Sequence, residues 1–263
     1  MQAKFIDHLR AARRGQGTIN LRTYYLDRAS ADGLNFANCT ATDLERWLSN
    51  PAWSIETARS ARSTLVVYFT WAHRAGLRAD NPASDLPVIS ERPPCPRPLP
   101  ENDYRAALNA ANGLDRLAIR LAGEAGLRRS EVARVHVRDI EQDLLGLSLR
   151  VHGKGDKTRL VPLSDSLARE VKAAVAQGGG WAFPSPVTAG HLTAGCIGKR
   201  VGELLPTGYS MHSLRHRFAT VAYTKSQDIR SVQELLGHTS LATTQRYVAT
   251  SAARLREVAN LAA

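Results

Sequence analysis

The sequence predicts two domains: an all-α N-terminal helical bundle, and a larger mixed α+β domain that is mainly helical and carries a small antiparallel sheet. Three observations lead there. The chain has 263 residues, comfortable for two domains of ordinary size. Six prolines (Pro87, Pro93, Pro94, Pro96, Pro98 and Pro100) crowd one stretch, and proline fixes φ and removes a backbone donor, so residues 87–100 read as an extended linker between 1–86 and 101–263. Finally, apolar residues recur every three or four positions through most of the chain but alternate with polar ones at 145–152.

In the first domain Ile55, Ala58, Arg62, Leu65, Phe69 and Ala72 keep helical spacing, with Ser54 as N-cap and Gly76 as stop. Thr42 and Glu45 have the spacing of a capping box ahead of Trp47 and Leu48. Tyr24, Tyr25, Trp47, Trp53, Tyr68, Phe69 and Trp71 are expected in the core. Four or five short helices fit, the first containing Phe5.

In the second domain Leu117, Leu121, Ala125, Val132 and Val135 suggest helices broken near Gly126. Leu145, Leu147, Leu149 and Val151 alternate with Gly146, Ser148, Arg150 and His152, a strand with one buried face. Gly153-Lys154-Gly155-Asp156 is a turn signal, and 159–163 is the returning strand. After the glycines at 178–180 the chain reads as helices, with Thr193, Ser210 or Ser213, Ser231, and Thr239 or Ser240 as caps. No internal repeat is visible.

Composition narrows the function classes. Lys+Arg is 35 against Asp+Glu 24, a formal charge of +11, and the pI is near 10.1. A 43% hydrophobic fraction excludes a disordered basic tail. A polyanionic partner, most simply nucleic acid, follows. Residues 1–95 carry net +3 and residues 96–263 net +8. Of the bases, 29 are Arg and 6 Lys, which suits bidentate phosphate contacts but is equally produced by a GC-rich genome. Cys39, Cys95 and Cys196 form no CxxC pair, so neither a disulfide framework nor a zinc finger is expected. No run approaches the ~18 apolar residues of a membrane span, and the N-terminus lacks a secretory core, so a cytoplasmic location without membrane attachment is expected.

Four short motifs carry chemistry. Gly126-Leu127-Arg128-Arg129-Ser130-Glu131 sets an arginine at a helix start; taken alone, Arg128 and Glu131 read as a surface ion pair. In Met211-His212-Ser213-Leu214-Arg215-His216, His212 and Arg215 share a helix face. His212 and His216 have the i, i+4 spacing of a zinc helix, but Ser213 stands where that motif needs Glu and no acidic ligand accompanies them. Leu235-Leu236-Gly237-His238 exposes a histidine between two helices, with Tyr247 two to three turns on; a lone Tyr is ordinarily half-buried core. Lys154 sits on the hairpin turn, which lacks P-loop spacing.

In this order, Arg, hairpin Lys, His-x-x-Arg, Gly-His and then Tyr nine residues later, the motifs resemble those of the tyrosine recombinase (phage integrase) family. Residues 126–131, 151–163, 212–220 and 235–248 resemble its signature blocks, and Arg74 to Leu77 with Asn81 to Ala83 resemble the end of its helical core-binding domain. The resemblance implies a C-shaped DNA clamp, with 1–86 as the core-type DNA-binding domain, 87–100 as linker and 101–263 as the catalytic domain. It implies a site-specific recombinase that integrates and excises a mobile element through a 3′-phosphotyrosine intermediate.

Residue by residue, the resemblance makes Tyr247 the nucleophile, Arg128 and Arg215 the clamp on the non-bridging oxygens, and Lys154 the general acid. His212 would relay the tyrosine proton, His238 would donate to the phosphate, and Glu131 would orient Arg128 or His212. No metal, ATP or other cofactor is implied, because arginines take the Lewis-acid role. The implied partners are double-stranded DNA with core-type sites, three further copies in a synaptic homotetramer, and an accessory directionality factor. With Phe5 already in the first core-binding helix, no separate arm-binding domain is expected. Ala252, Leu255, Val258 and Leu261 are spaced as an amphipathic helix expected to dock on a neighbouring protomer. The alternatives are a type IB topoisomerase-like enzyme and a sequence-specific DNA-binding protein that does not cleave.

Overall fold

Four helices build the described part of the first of two units, Met1–Pro93: α1 (Gln2–Ala11), α2 (Gln16–Ala31), α3 (Ala41–Leu48) and α4 (Ile55–Arg74). The structure, a computed structural model, describes residues 1–90, 97–153 and 157–237. Helix α4 starts at Ser54, whose side chain accepts from the Thr57 amide at 3.1 Å. It ends at Arg74, just before Gly76 turns the chain at φ +67°, a conformation glycine adopts without a Cβ penalty.

The capping box of α3 lies two residues earlier than its sequence signal. Thr40, not Thr42, caps the helix, with Asp43 closing the reciprocal bond to the Thr40 amide at 2.9 Å. Both pairs have the required spacing, but the shorter Asp43 reaches back and burial of Leu44 and Trp47 sets the helix phase.

The core of this unit is aromatic. Phe5, Tyr68 and Phe69 are fully buried and meet edge to face, Phe5 and Tyr68 with centroids 5.2 Å apart. Tyr24 departs from expectation: it is 54% exposed. It leans on Tyr25, the residue of that pair that turns inward. Ile55 is likewise exposed, because it is the first residue of its helix.

The second unit, Pro94–Ala263, forms around α6 (Gly113–Glu124). Leu117, Ala118, Ile119, Leu121 and Ala122 leave little polar face on this helix, so it is enclosed by α5 (Glu101–Ala110), α8 (Asp165–Gln177), α9 (Ala194–Glu203) and α10 (Met211–Ser226). A short helix α7 (Arg129–Ala133) follows α6, and α11 (Ile229–Leu236) follows α10. The sheet is antiparallel in the order β1 (Ile140–Asp143), β2 (Gly146–His152), β3 (Thr158–Pro162). Its register pairs Ile140 with Leu149 and Val151 with Arg159.

Leu149 and Val151 face the core as the alternation requires, joined by Val161 from β3. Leu145 does not. It lies with Leu144 in the β1–β2 turn beyond the last ladder pair, fully exposed. Strand β1, with one apolar residue in four, has too little pattern to be read from sequence.

Thr193 and Ser210 cap α9 and α10 as expected. Helix α11 is capped by Asp228 instead of Ser231, which is inside the helix and donates to the Asp228 carboxylate at 2.5 Å. After 178–180 the chain does not go directly into helix; it first makes two isolated bridges, His136 with Trp181 and Pro184 with His191. The expected caps at Thr239 and Ser240 and the expected helix at 252–261 lie outside the described residues, as do Pro93, Pro94 and Pro96 of the proline cluster. Among the described residues no helix is long and apolar enough to cross a membrane.

Candidate active site

A single buried carboxylate organises the site. Glu131, on α7, has a side chain 2% exposed. It accepts from the Arg128 amide at 2.8 Å and from the Arg128 guanidinium at 2.8 Å. On its other side Arg159 of β3 donates two bonds, at 3.0 and 2.8 Å. Arg215 of α10 stands 3.8 Å away. The pair expected at the surface is therefore the centre of a buried cluster of three arginines.

Burial alone would raise the Glu131 pKa; the Arg159 bonds, the Arg128 amide, the Arg159 charge and the Arg128 guanidinium bond outweigh it and hold the carboxyl down at about 2. It is ionised at any working pH, and the arginines exceed it in charge by two.

Local folding explains how these groups meet. Gly126 turns the chain after α6 at φ +66°, and a Cβ there would come within 2.5 Å of the Phe218 ring. Glycine is thus required both for the backbone angle and for the close approach. Leu127, fully buried, anchors the turn, and Arg128 follows it with 38% of its side chain exposed.

Arg215 is the largest fully buried side chain of the described residues. It donates to the Gly126 carbonyl and, at 2.5 Å, to the Leu236 carbonyl. Arg159 Nε donates to the Leu235 carbonyl at 2.7 Å. Two guanidinium groups thus satisfy the last carbonyls of α11, which have no partner inside the helix, and their charge complements the negative helix end. Gly237 then ends α11 at φ +62°, directly over the Arg159 side chain.

His212 lies one turn before Arg215 on α10, exposed. Partial desolvation, then the charges of Arg215 and Arg128, hold its pKa below the ordinary value, so at neutral pH the imidazole is a free base. His216 packs against it, ring centroids 4.2 Å apart. Burial, His212 and Arg215 push its pKa down to about 4. Among the described residues no group of three or more His, Cys, Asp or Glu is placed to hold a metal.

Of the residues singled out by sequence, Arg128, Glu131, His212 and Arg215 are brought together here. Lys154, His238 and Tyr247 lie outside the described residues. Arg159 was missed by the sequence reading. Its one available signal was strand parity: it shares the inward face of β3 with Val161, where an arginine needs a buried partner.

The chain matches the family model described as the phage integrase family over residues 97–254. It is 32% identical to the tyrosine recombinase XerC of Mycobacterium sp. (strain KMS), covering 96% of this chain and 95% of that one. It is 29% identical to the tyrosine recombinase XerA of Pyrococcus horikoshii, over 97% of this chain and 90% of the other. Among solved structures, a lambda integrase (75–356) dimer bound to a COC′ core site superposes with TM-score 0.74 at 20% identity, covering 93% of each chain. The XerH site-specific recombinase bound to palindromic difH substrate gives TM-score 0.70 at 22% identity, over 95% of this chain and 81% of that one. Family match, full-length relatives and shared fold agree with the arginine cluster: the chain belongs to the phage integrase family of tyrosine recombinases, enzymes that cleave and rejoin DNA strands.

Proposed function

We propose that this chain is a site-specific recombinase that exchanges strands at short duplex DNA sites, with Tyr247 as nucleophile. The observation that carries the reading is the surplus of positive charge at the Arg128–Glu131–Arg215 cluster, beside a neutral His212. Such a cluster is suited to a transition state that gathers charge on two non-bridging phosphate oxygens.

In the proposed reaction the Tyr247 oxygen attacks phosphorus as the bond to the 5′-oxygen breaks, leaving a 3′-phosphotyrosine and a free 5′-hydroxyl. A phenol of pKa ~10 is about one part in a thousand ionised at neutral pH, so its proton must pass to a base; His212 has the protonation state for that task. Lys154 protonates the departing 5′-oxygen, and Arg128, Arg215 and His238 hold the phosphate. Each phosphodiester is exchanged for a phosphotyrosine, so the second strand can reverse the chemistry without an energy source.

Residues 1–86 act as the core-site binding domain in this reading. The working assembly is a homotetramer on two duplexes, with an accessory factor setting direction. Because the full-length relatives carry Xer names, resolution of chromosome dimers is favoured over the integration and excision of a mobile element. An attachment-site repeat bounding a segment that contains the gene would reverse that preference.

The test is covalent trapping. The protein is incubated with a library of nicked duplexes whose central segment is randomised, and protein-linked DNA is recovered under denaturing conditions and sequenced. Wild type should enrich one inverted-repeat sequence, and Tyr247→Phe should bind it without forming the adduct. An undiminished adduct in Tyr247→Phe overturns the assignment. Relaxation of any supercoiled DNA without strand exchange would instead indicate a topoisomerase.

A further inference from the structure

We infer that Arg159 is a positioning residue of the strand-transfer site, tying strand β3, the Glu131 carboxylate and the C-terminus of α11 into one rigid frame. The inference rests on the reading under Proposed function and adds to it a residue outside the nucleophile, clamp and acid–base set.

Arg159 uses its guanidinium in two directions. Nη1 and Nη2 make a two-pronged contact with Glu131 at 3.0 and 2.8 Å, and Nε donates to the Leu235 carbonyl at 2.7 Å. Each of its three guanidinium nitrogens is engaged within the protein, so it is not a spare surface base available to track the DNA backbone. Gly237 closes over it; a Cβ there would stand 3.0 Å from the Arg159 Cδ.

These three attachments bear on four candidate groups. Glu131 is the carboxylate that holds Arg128. The neighbouring Leu236 carbonyl holds Arg215. In sequence, β3 begins four residues after Lys154, and His238 follows Gly237 directly. The planar fork is essential to this geometry: a lysine ammonium is a point charge that cannot span a carboxylate and a carbonyl on opposite sides.

The experiment measures single-turnover cleavage by the full chain on the trapped duplex, together with DNA affinity and thermal unfolding. Arg159→Lys is expected to cleave about 30-fold more slowly than wild type per folded molecule, with affinity unchanged within about twofold and the thermal midpoint lowered by several degrees, leaving the protein folded at the assay temperature. A double-mutant cycle separates positioning from general weakening. In an Arg128→Ala background, whose clamp is already lost, Arg159→Lys should cost no more than about fivefold.

Cleavage by Arg159→Lys within about threefold of wild type overturns the inference. So does the same fold loss in both backgrounds, or a loss that tracks the unfolded fraction. Tyr247→Phe runs beside them: an adduct surviving in that variant overturns the parent reading, whereas an absent adduct with a normal Arg159→Lys rate overturns this inference alone.

Discussion

The second unit holds two networks of charge, each centred on a buried side chain, and they are built with opposite stoichiometry. Around Glu131, three arginines converge on one carboxylate. Around Arg120, one arginine is shared by two carboxylates. It donates twice to Glu124, at 2.9 and 2.7 Å, and once to Glu170 at 2.7 Å, while the Tyr104 hydroxyl donates to Glu124 at 2.9 Å. Both networks lower the pKa of the carboxylate against its burial, and both tie α6 or its following turn to distant elements. The difference is what remains over. The Arg120 network is satisfied within the protein, as a scaffold should be. The Glu131 cluster keeps unneutralised positive charge, with Arg128 part-exposed and His212 at its edge. Burial of ions is costly either way; only the Glu131 arrangement retains charge that an anion can use.

The strongest challenge to this contrast is to truncate one arginine of each kind. Arg128→Ala should lose about 3 kcal/mol of transition-state stabilisation, roughly 150-fold in single-turnover cleavage, with little change in DNA affinity. Cleavage within tenfold of wild type would erase the distinction. Arg120→Met should do the reverse. It takes the guanidinium away from Glu124 and Glu170 and should cost about 2 kcal/mol of folding stability in urea unfolding, less than breaking a fully buried pair because both carboxylates are partly exposed. Cleavage per folded molecule should stay within about threefold of wild type.

The contrast was only partly legible in the sequence. Arg128, Glu131, His212 and Arg215 could be picked out because short-range spacing and motif order mark them. Nothing short-range marks that Arg215 would be buried, or that Glu131 would serve three arginines, since two of those arrive from β3 and α10. Arg159 was hidden for the same reason: a polar residue in a short strand reads as solvent-facing until its partner is known. In the first unit α4 was readable from periodicity, yet the α3 cap fell on Thr40 because two overlapping signals, Thr40/Asp43 and Thr42/Glu45, differ only in how the packed helix is phased. Strand β1 was unreadable because its pairing with β2, not its own pattern, makes it a strand.

Acid should attack the arginine-rich cluster in two stages. The His216 pKa is depressed in the folded protein to about 4, so the unfolded chain takes up the proton first. The associated stability is complete above the ordinary histidine pKa of about 6.5 and is lost as pH falls toward 4. His216 is only half-buried, and after discounting for solvent screening the loss is about 1–2 kcal/mol. Glu131 follows at lower pH: its stabilisation is complete above about 4.5 and is lost as pH falls through about 2. Urea unfolding at pH 7 and pH 4.5 should therefore show a drop in wild type that His216→Gln largely removes. An equal drop in that variant would mean that the cation-rich cluster is not the acid-sensitive element.

The smallest expected effect lies at the rim of the balanced network, where Glu101 serves two arginines of unequal burial. Arg217 donates to it at 2.9 and 2.7 Å, donates to the Gly123 carbonyl at 2.9 Å and stacks 3.6 Å over the Tyr104 ring, with its side chain 12% exposed. Arg105 reaches the same carboxylate at 3.4 Å with its side chain 72% exposed. The two contacts share an acceptor, so burial and added partners are what separate them. Arg217→Ala should cost about 2 kcal/mol, because it removes a desolvated cation–π contact and leaves the Gly123 carbonyl without its donor. Arg105→Ala should cost no more than about 0.5 kcal/mol. Neither should change cleavage by folded protein by more than about twofold, because both charges are already paired with Glu101. If Arg217→Ala slowed cleavage as strongly as Arg128→Ala, charge surplus would no longer distinguish the site from the frame, since Arg217 sits only two residues from Arg215 on the same helix.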